Sequence, residues 1–125
     1  MGKNTFNKDE RLTHKKLIDA LFKSGTSVKS FPILMVWNKV KGEGMPIAQV
    51  GFSVPKRSFK KAVDRNLLKR RMREAYRLNK NIMEGVAGSY AMMLIYMGKE
   101  SKAYDEIETA IREVLQKWVG EISEH

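Results

Sequence analysis

Residues 62–77 combine an apolar pattern and a basic pattern that both have the period of an α-helix. The apolar set falls on one face and consists of Leu68, Met72, Ala75 and Tyr76. The basic set steps by four along another face and consists of Arg65, Lys69, Arg73 and Arg77. A helix of this kind has one side suited to a core and one side suited to solvent. The chain must therefore fold with this segment at its surface.

The positive charge of the chain is concentrated around the same segment. Residues 56–80 contain eleven lysines and arginines and two acidic residues, whereas residues 100–125 contain three basic and seven acidic residues. The net charge of +10 is thus a local field, which attracts phosphate polyanions and weakens as salt rises. A solvated helix face is the ordinary alternative. The scarcity of acids at i,i+4 spacing favours nucleic-acid binding, most simply to RNA.

The first half of the chain predicts one helix followed by a β-hairpin. Apolar residues recur at helical spacing from Leu12 to a stop at Gly25. Residues 28–40 are rich in β-forming side chains and lead to a glycine-containing turn signal at residues 41–44. Residues 48–54 alternate between apolar and small or polar side chains, and Pro55 should end that strand. We expect the two strands to pair as a hairpin across the turn.

The second half predicts a helix, a strand and a final helix. Asp64 is a candidate N-cap for the basic helix, because its carboxylate can accept hydrogen bonds from free amides of the first turn. Gly85 and Gly88 mark the exit from that helix. Residues 90–97 form an apolar run typical of a strand covered on both faces, and residues 107–118 have an amphipathic helical pattern. The predicted order is α-β-β-α-β-α, an α+β sandwich with helices packed on a mixed sheet.

Length and composition exclude several classes of protein. The 125 residues suit one domain, with residues 1–10 polar and loose. There is no cysteine, and His14 and His125 are not placed to bind a metal together, so we expect no metal site. No apolar run reaches the ~18 residues that span a bilayer, which predicts a cytoplasmic protein without a membrane partner. No nucleophile, carboxylate pair or phosphate-binding glycine loop suggests catalysis by this chain alone.

The candidate RNA-binding residues lie on the basic helix and on the connection that precedes it. Phosphate contact requires cations spaced along the backbone, together with groups that hydrogen-bond to oxygens or base edges. The candidates are Lys56, Arg57, Lys60, Lys61, Arg65, Asn66, Lys69, Arg70, Arg73 and Arg77. Among the aromatic residues, Phe22 and Trp37 lie in apolar runs that favour core packing, whereas Phe59 lies between polar residues and should be exposed. The acids of the last helix and His14 are interpreted as surface residues.

Residues 62–74, with the letters AVDRNLLKRRMRE, resemble the signature helix of the bacterial ribonuclease P protein component. Further landmarks of that family occur in the expected order at residues 11–12, 21–25 and 50–56. The resemblance implies a ribosomal-protein-like sandwich with a left-handed βαβ crossover and an additional short strand. It also implies binding to ribonuclease P RNA and to the 5′ leader of precursor tRNA, with Mg²⁺ held mainly by RNA. No obligate protein partner is predicted.

Two positions depart from the family pattern. The arginine-asparagine-arginine motif falls on Arg65 and Asn66, but Leu67 stands in place of the second arginine, whose contacts are either lost or assumed by Arg71. Lys69, Arg70 and Arg73 match the basic positions that follow. Of two aromatic residues that line the leader cleft in the family, Phe22 matches the second and Ile18 replaces the first. Trp37 is a candidate for the cleft wall.

Two other functions are compatible with a small basic domain. A ribosomal or other structural RNA-binding protein would account for the charge and size, but not for the ordered landmarks around Arg65 and Asn66. A helix-turn-helix DNA-binding protein would require helices joined by short turns, without the predicted strands. The resemblance implies that the chain is part of an endoribonuclease whose chemistry is performed by the RNA subunit.

Overall fold

The computed structural model describes residues 15–40 and 48–123. In this part of the chain, three helices surround a four-stranded sheet, and no helix combines the length and apolar character required to cross a bilayer. The elements are α1 (Lys15–Ser24), β1 (Thr26–Ser30), β2 (Ile33–Val40), β3 (Ala48–Ser53), α2 (Ala62–Asn79), a short 3₁₀ turn (Lys80–Met83), β4 (Ser89–Tyr96) and α3 (Tyr104–Ser123). Leu12, His14 and residues 1–10 lie outside the described residues.

The strand order is β1-β2-β4-β3, and the sheet is mixed as predicted. β1 and β2 form an antiparallel hairpin, and β2 pairs antiparallel with β4, with Ile33 opposite Tyr96. β3 runs parallel to β4, with Val50 opposite Met92. Because β3 and β4 are parallel, α2 serves as the crossover between them. The left-handed sense of this crossover stays a prediction.

The predicted hairpin between residues 28–40 and 48–54 is wrong. Residues 26–40 form two strands joined by a turn at Phe31 and Pro32, and β1 is the additional short strand that the resemblance implied. Pro32 lacks an N–H and has a restricted φ, so the chain turns there rather than continuing as one strand. β4 is apolar on both faces and occupies the position beside β2, which leaves β3 on the far edge.

Alternating residues of the sheet face two separate cores. α1 covers the smaller core, in which Leu21 packs with Ala91 and Met93. α2 and α3 cover the larger one on the opposite face, which includes Met35, Val50, Leu68, Met72, Met92, Leu94, Ile111, Val114 and Trp118. The predicted packing of helices on a mixed sheet is therefore confirmed. The helices enclose the sheet from both sides.

The basic helix begins earlier than predicted. Ala62 is its first residue, and Lys61 occupies the N-cap position without a side-chain hydrogen bond. The backbone N–H groups of Asp64 and Arg65 both donate to the carbonyl oxygen of Lys61, at 3.2 and 3.3 Å. The N-cap assignment of Asp64 is therefore wrong, since this residue already lies within the first turn. Its negative charge still stabilises the helix start through the helix dipole.

The ends of the other elements agree with the sequence signals. α1 stops at Ser24, where the N–H of Gly25 donates to the carbonyl of Leu21, and β3 ends at Ser53 before Pro55. Gly85 and Gly88 have φ values of 87° and 98°, which favour glycine because a Cβ would be strained there. These turns return the chain from α2 to the start of β4.

We expect Trp118→Ala to lower the free energy of unfolding by about 3–5 kcal/mol, because it leaves a large cavity in the main core. Trp118 is 0% exposed and packs edge-to-face on Tyr90, with ring centroids 4.9 Å apart. Urea denaturation measures the change. Gln116→Ala, an exposed position on the same helix, is the matched control and should change stability by less than about 0.5 kcal/mol. Equal effects of the two variants would contradict this account of the core.

Candidate RNA interface

The two faces of α2 separate packing from solvent contact, as the sequence predicted. Leu68, Met72, Ala75 and Tyr76 are buried against the sheet and α3. Asn66, Arg70 and Arg73 are exposed, and Lys69 is half-buried at the border between the two faces. The apolar face thus holds the helix in place, while the other face presents cations to solvent.

The connection between β3 and α2 adds further exposed cations at the start of the helix. Lys56, Arg57, Lys60 and Lys61 are all exposed. Within residues 15–40 and 48–123, the side chains of these four residues, and those of Asn66, Lys69 and Arg70, have no hydrogen-bond or ion-pair partner. Their donors are available to an external phosphate. The structure therefore brings most of the predicted RNA-binding residues together on α2 and on the connection before it. We call the surface formed by the exposed basic side chains of residues 56–61 and of α2 the basic face.

Arg65 supports the basic face from within the protein. Its Nη1 donates to the carbonyl oxygens of Phe59 at 2.8 Å and Lys60 at 2.9 Å. These hydrogen bonds fasten the connection to the first turn of α2, so Arg65 orders the segment that carries Lys60 and Lys61. Part of its donor capacity is consequently used inside the protein.

Arg77 differs from the other predicted cations because a carboxylate contacts it. Its Nε and Nη2 donate to Glu74 at 3.2 and 2.5 Å. The hydrogen bond from Arg77 lowers the pKa of the Glu74 carboxyl, and the same contact raises the pKa of Arg77. Both side chains lie at the surface. The pair reduces the net charge at the C-terminal end of the basic face.

Arg73 lies over an aromatic ring. Its Cζ is 5.9 Å from the ring centroid of Phe52 on β3, within the range of a cation–π interaction. The described part of the chain supplies no hydrogen-bond acceptor to Arg73. The alternating pattern of residues 48–54 does not indicate this contact. The contact depends on the position of β3 at the edge of the sheet beside α2. The predicted hairpin placed β3 next to β2 instead.

Arg71, the candidate to assume the contacts of the arginine that Leu67 replaces, makes hydrogen bonds inside the protein. Its Nη1 donates to the carbonyl of Lys102 at 2.7 Å and to Oγ of Ser101 at 3.5 Å. Arg71 therefore connects α2 to the segment before α3, on the side away from Arg73. One nitrogen of its guanidinium is engaged in this internal junction, and the assumption of the missing contacts by Arg71 stays a prediction.

The opposite face of the sheet carries an exposed aromatic residue on α1. Phe22 is 60% exposed, so the prediction that it packs in the core is wrong. Ile18, one turn earlier, packs partly against the smaller core, and the carbonyl of Ala20 accepts a hydrogen bond from Asn38 at 3.4 Å. Leu21 provides the buried anchor of this short helix, which leaves Phe22 to solvent. Phe22 and Ile18 remain together as a candidate leader-binding surface.

Trp37 is not part of that surface. Its ring lies edge-to-face with Tyr90 at 5.8 Å and with Trp118 at 6.0 Å, in the core covered by α2 and α3. Successive strand residues point to opposite faces, so Trp37 and Ile18 are separated by the sheet. The assignment of Trp37 to the cleft wall is therefore wrong, while its predicted core packing is confirmed.

Phe59 is also placed differently from the prediction. It is 8% exposed, and its ring packs edge-to-face with Tyr96 at a centroid distance of 5.6 Å. The N–H of Phe59 donates to the carbonyl of Pro55 at 3.2 Å, so the connection folds back and turns this ring inward. The neighbouring polar residues indicated an exposed segment correctly, but not the direction of this side chain.

The acidic residues of α3 form a solvated face, as predicted. Asp105 and Glu106 are exposed in the first turn, and Glu108 accepts hydrogen bonds from Arg112 at 2.8 and 3.0 Å. Among the described residues, no group of three or more acidic or histidine side chains is arranged to hold a metal ion. These carboxylates lie on a different helix from the basic face.

A family model described as Ribonuclease P matches residues 6–119. This chain belongs to the ribonuclease P protein family. It is 29% identical over 120 residues to the ribonuclease P protein component of Porphyromonas gingivalis, covering 93% of this chain and 88% of the relative. The corresponding component of Chlorobium phaeobacteroides is 42% identical over 80 residues, covering 62% and 55%. The chain is thus a protein component of the ribonuclease P endoribonuclease.

Solved structures of ribonuclease P proteins have the same fold. The protein from Thermotoga maritima has a TM-score of 0.69 at 25% identity, covering 86% of this chain and 96% of that chain. A Staphylococcus aureus ribonuclease P protein also has a TM-score of 0.69, at 20% identity, covering 87% and 94%. RNA binding and tRNA processing follow from the family. The family and the four-stranded sheet exclude a helix-turn-helix protein. The family also argues against a structural RNA-binding protein that has no part in tRNA processing.

We expect Glu74→Gln to increase the affinity for ribonuclease P RNA about two- to fivefold, because a single exposed charge contributes up to ~1 kcal/mol. The substitution removes a negative charge beside the basic face and so reduces repulsion of phosphate. Titration at fixed salt measures the change. Glu108→Gln removes a carboxylate that also pairs with an arginine, but on α3, and should leave the affinity unchanged. Equal gains from both substitutions would show that net charge, rather than position, is responsible.

Proposed function

We propose that the basic face binds ribonuclease P RNA and that the α1 side of the sheet holds the 5′ leader of precursor tRNA. The RNA subunit then cleaves the phosphodiester bond to give the mature tRNA 5′ end. Association with ribonuclease P RNA follows from the family. We also propose which residues of the basic face contact this RNA, that the α1 side contacts the leader, and that the protein is located in the cytoplasm.

The observation that carries the proposal is the set of outward cations with available donors on α2 and its connection. Lys69, Arg70 and Arg73 project from a helix whose opposite face is anchored in the core. Such an arrangement keeps the cations at fixed spacing, so they can follow a phosphate backbone without reorganisation of the protein. Arginine adds a planar group of donors suited to two phosphate oxygens.

The leader contact is supported by Phe22 on the opposite face. A single-stranded leader has unpaired bases, which stack on aromatic side chains. Phe22 has the exposure that stacking requires, and Ile18 provides an adjoining apolar contact one turn away. β3 borders both surfaces, because Phe52 faces α2 whereas its neighbours Gly51 and Ser53 face the side of α1.

Magnesium is assigned to the RNA and the substrate in this proposal. The protein contributes cations near phosphate groups, and these reduce repulsion between the two RNAs when they are brought together. The carboxylates of α3 lack a metal-binding arrangement in the described residues. The protein therefore strengthens metal binding indirectly, by holding RNA groups in position.

The proposal is tested by cleavage of a 5′-extended precursor tRNA with ribonuclease P RNA at low magnesium. The wild-type protein should stimulate cleavage, and the protein without RNA should have no activity. Combined replacement of Lys69, Arg70 and Arg73 by glutamine should raise the protein concentration needed for stimulation roughly tenfold or more, because three phosphate contacts are lost. Replacement of Lys29, Lys39 and Lys117 removes the same charge elsewhere and is the control. Equal losses in the two triple variants would reject the basic face as the RNA site.

The leader contact has a separate test. Phe22→Ala should raise KM roughly five- to hundredfold for a precursor with a long leader, since stacking on one aromatic contributes ~1–3 kcal/mol. A precursor with a single leader nucleotide should be unaffected. Phe31→Ala is the matched control, because Phe31 is 61% exposed but lies in the turn between β1 and β2. A loss that does not depend on leader length would refute the leader contact.

A further inference from the structure

Phe52 connects the edge of the sheet to the basic face. Its ring packs edge-to-face on Tyr76 of α2, with centroids 6.0 Å apart, and the Cζ of Arg73 lies 5.9 Å from the same ring centroid. Tyr76 is 1% exposed, and Phe52 pairs with Leu94 in the sheet register. The ring is therefore fixed on one side by the core, and an exposed arginine also contacts it.

We propose that Phe52 is a positioning residue, which holds the guanidinium of Arg73 in the orientation that contacts a phosphate of ribonuclease P RNA. This inference rests on the proposed function of the basic face. The ligand is the phosphate backbone of the RNA, and Phe52 acts on it only through Arg73.

A cation–π contact suits this purpose because it uses the charge of the guanidinium and not its hydrogen-bond donors. Arg65, Arg71 and Arg77 are also held in place, but each by N–H donation to an oxygen of the protein. Those donors are no longer available for RNA. Arg73 is held by the ring without the use of its N–H donors. Its N–H groups can therefore bind phosphate while the ring contact persists.

Restricting Arg73 before binding should increase affinity. A free arginine loses rotamer freedom when it is immobilised on a ligand, and this loss opposes association. The contact with Phe52 limits that freedom in the unbound protein, so less is lost on binding. Arg70 provides the contrast, because it is exposed on the same helix and no aromatic ring within the described residues contacts it.

A double-mutant cycle tests the proposal through the dissociation constant for ribonuclease P RNA at fixed salt. Phe52→Leu should weaken binding about two- to fivefold in the wild-type background, the range expected for an exposed cation–π contact. In the Arg73→Gln background the same substitution should have no effect. Phe52→Tyr, which keeps the aromatic ring, should restore wild-type affinity. Phe52→Met provides a second variant without a ring if Phe52→Leu fails to fold, and thermal melting shows which variants are folded.

The Arg70→Gln background is the control, since Phe52→Leu should there produce its full two- to fivefold effect. An equal loss in the Arg73→Gln background would show a general structural effect and overturn the proposal. So would an Arg73→Gln substitution that leaves affinity unchanged, or a Phe52→Leu protein that binds like wild type. Failure of the wild-type protein to bind the RNA would reject the proposed function itself, and this inference with it. The two failures are thereby distinguished.

Discussion

The enclosure of β4 is the constraint on which the rest of the structure depends. Its residues alternate between two cores, with Met92 and Leu94 facing α2 and α3 and with Ala91 and Met93 facing α1. Because β4 also pairs along both edges, β2 and β3 cannot be neighbours, and β3 becomes an edge strand. The parallel pairing of β3 with β4 then requires a crossover, which α2 supplies. The basic helix α2 consequently lies beside the edge strand β3.

The positive charge of α2 has two separable consequences. All of its cations contribute to the field that attracts RNA from a distance, since that field depends on charge and not on hydrogen bonding. Direct contact requires available donors, and Arg65, Arg71 and Arg77 use some of theirs within the protein. A count of basic residues therefore overestimates the number of direct phosphate contacts. The internal arginines nevertheless order the connection and the junction with α3, which keep the outward cations at fixed spacing.

Periodic patterns predicted the elements in which several residues of the segment itself mark the buried face. The faces of α2, the enclosed strand β4 and the amphipathic α3 were all recognised, because several residues repeat the same signal. Strand pairing was not recognised, since alternation gives the faces of a strand but not its neighbour. Single aromatic residues were also misplaced. Phe22 lies in an apolar run but points away from the core, and Phe59 lies among polar residues but points inward, because each direction depends on contacts distant in sequence.

The resemblance to the family pattern places Leu67 where a second arginine is expected. Arg71, one turn further on, donates from Nη1 to the carbonyl oxygen of Lys102 and so stabilises the junction between α2 and α3. Under the proposed function, one phosphate contact fewer would make the slope of log K against log salt concentration shallower by about 0.7–0.9. Orientation can offset part of that loss, since a restricted guanidinium binds at a smaller entropic cost. The contact between Phe52 and Arg73 supplies such a restriction on the same helix.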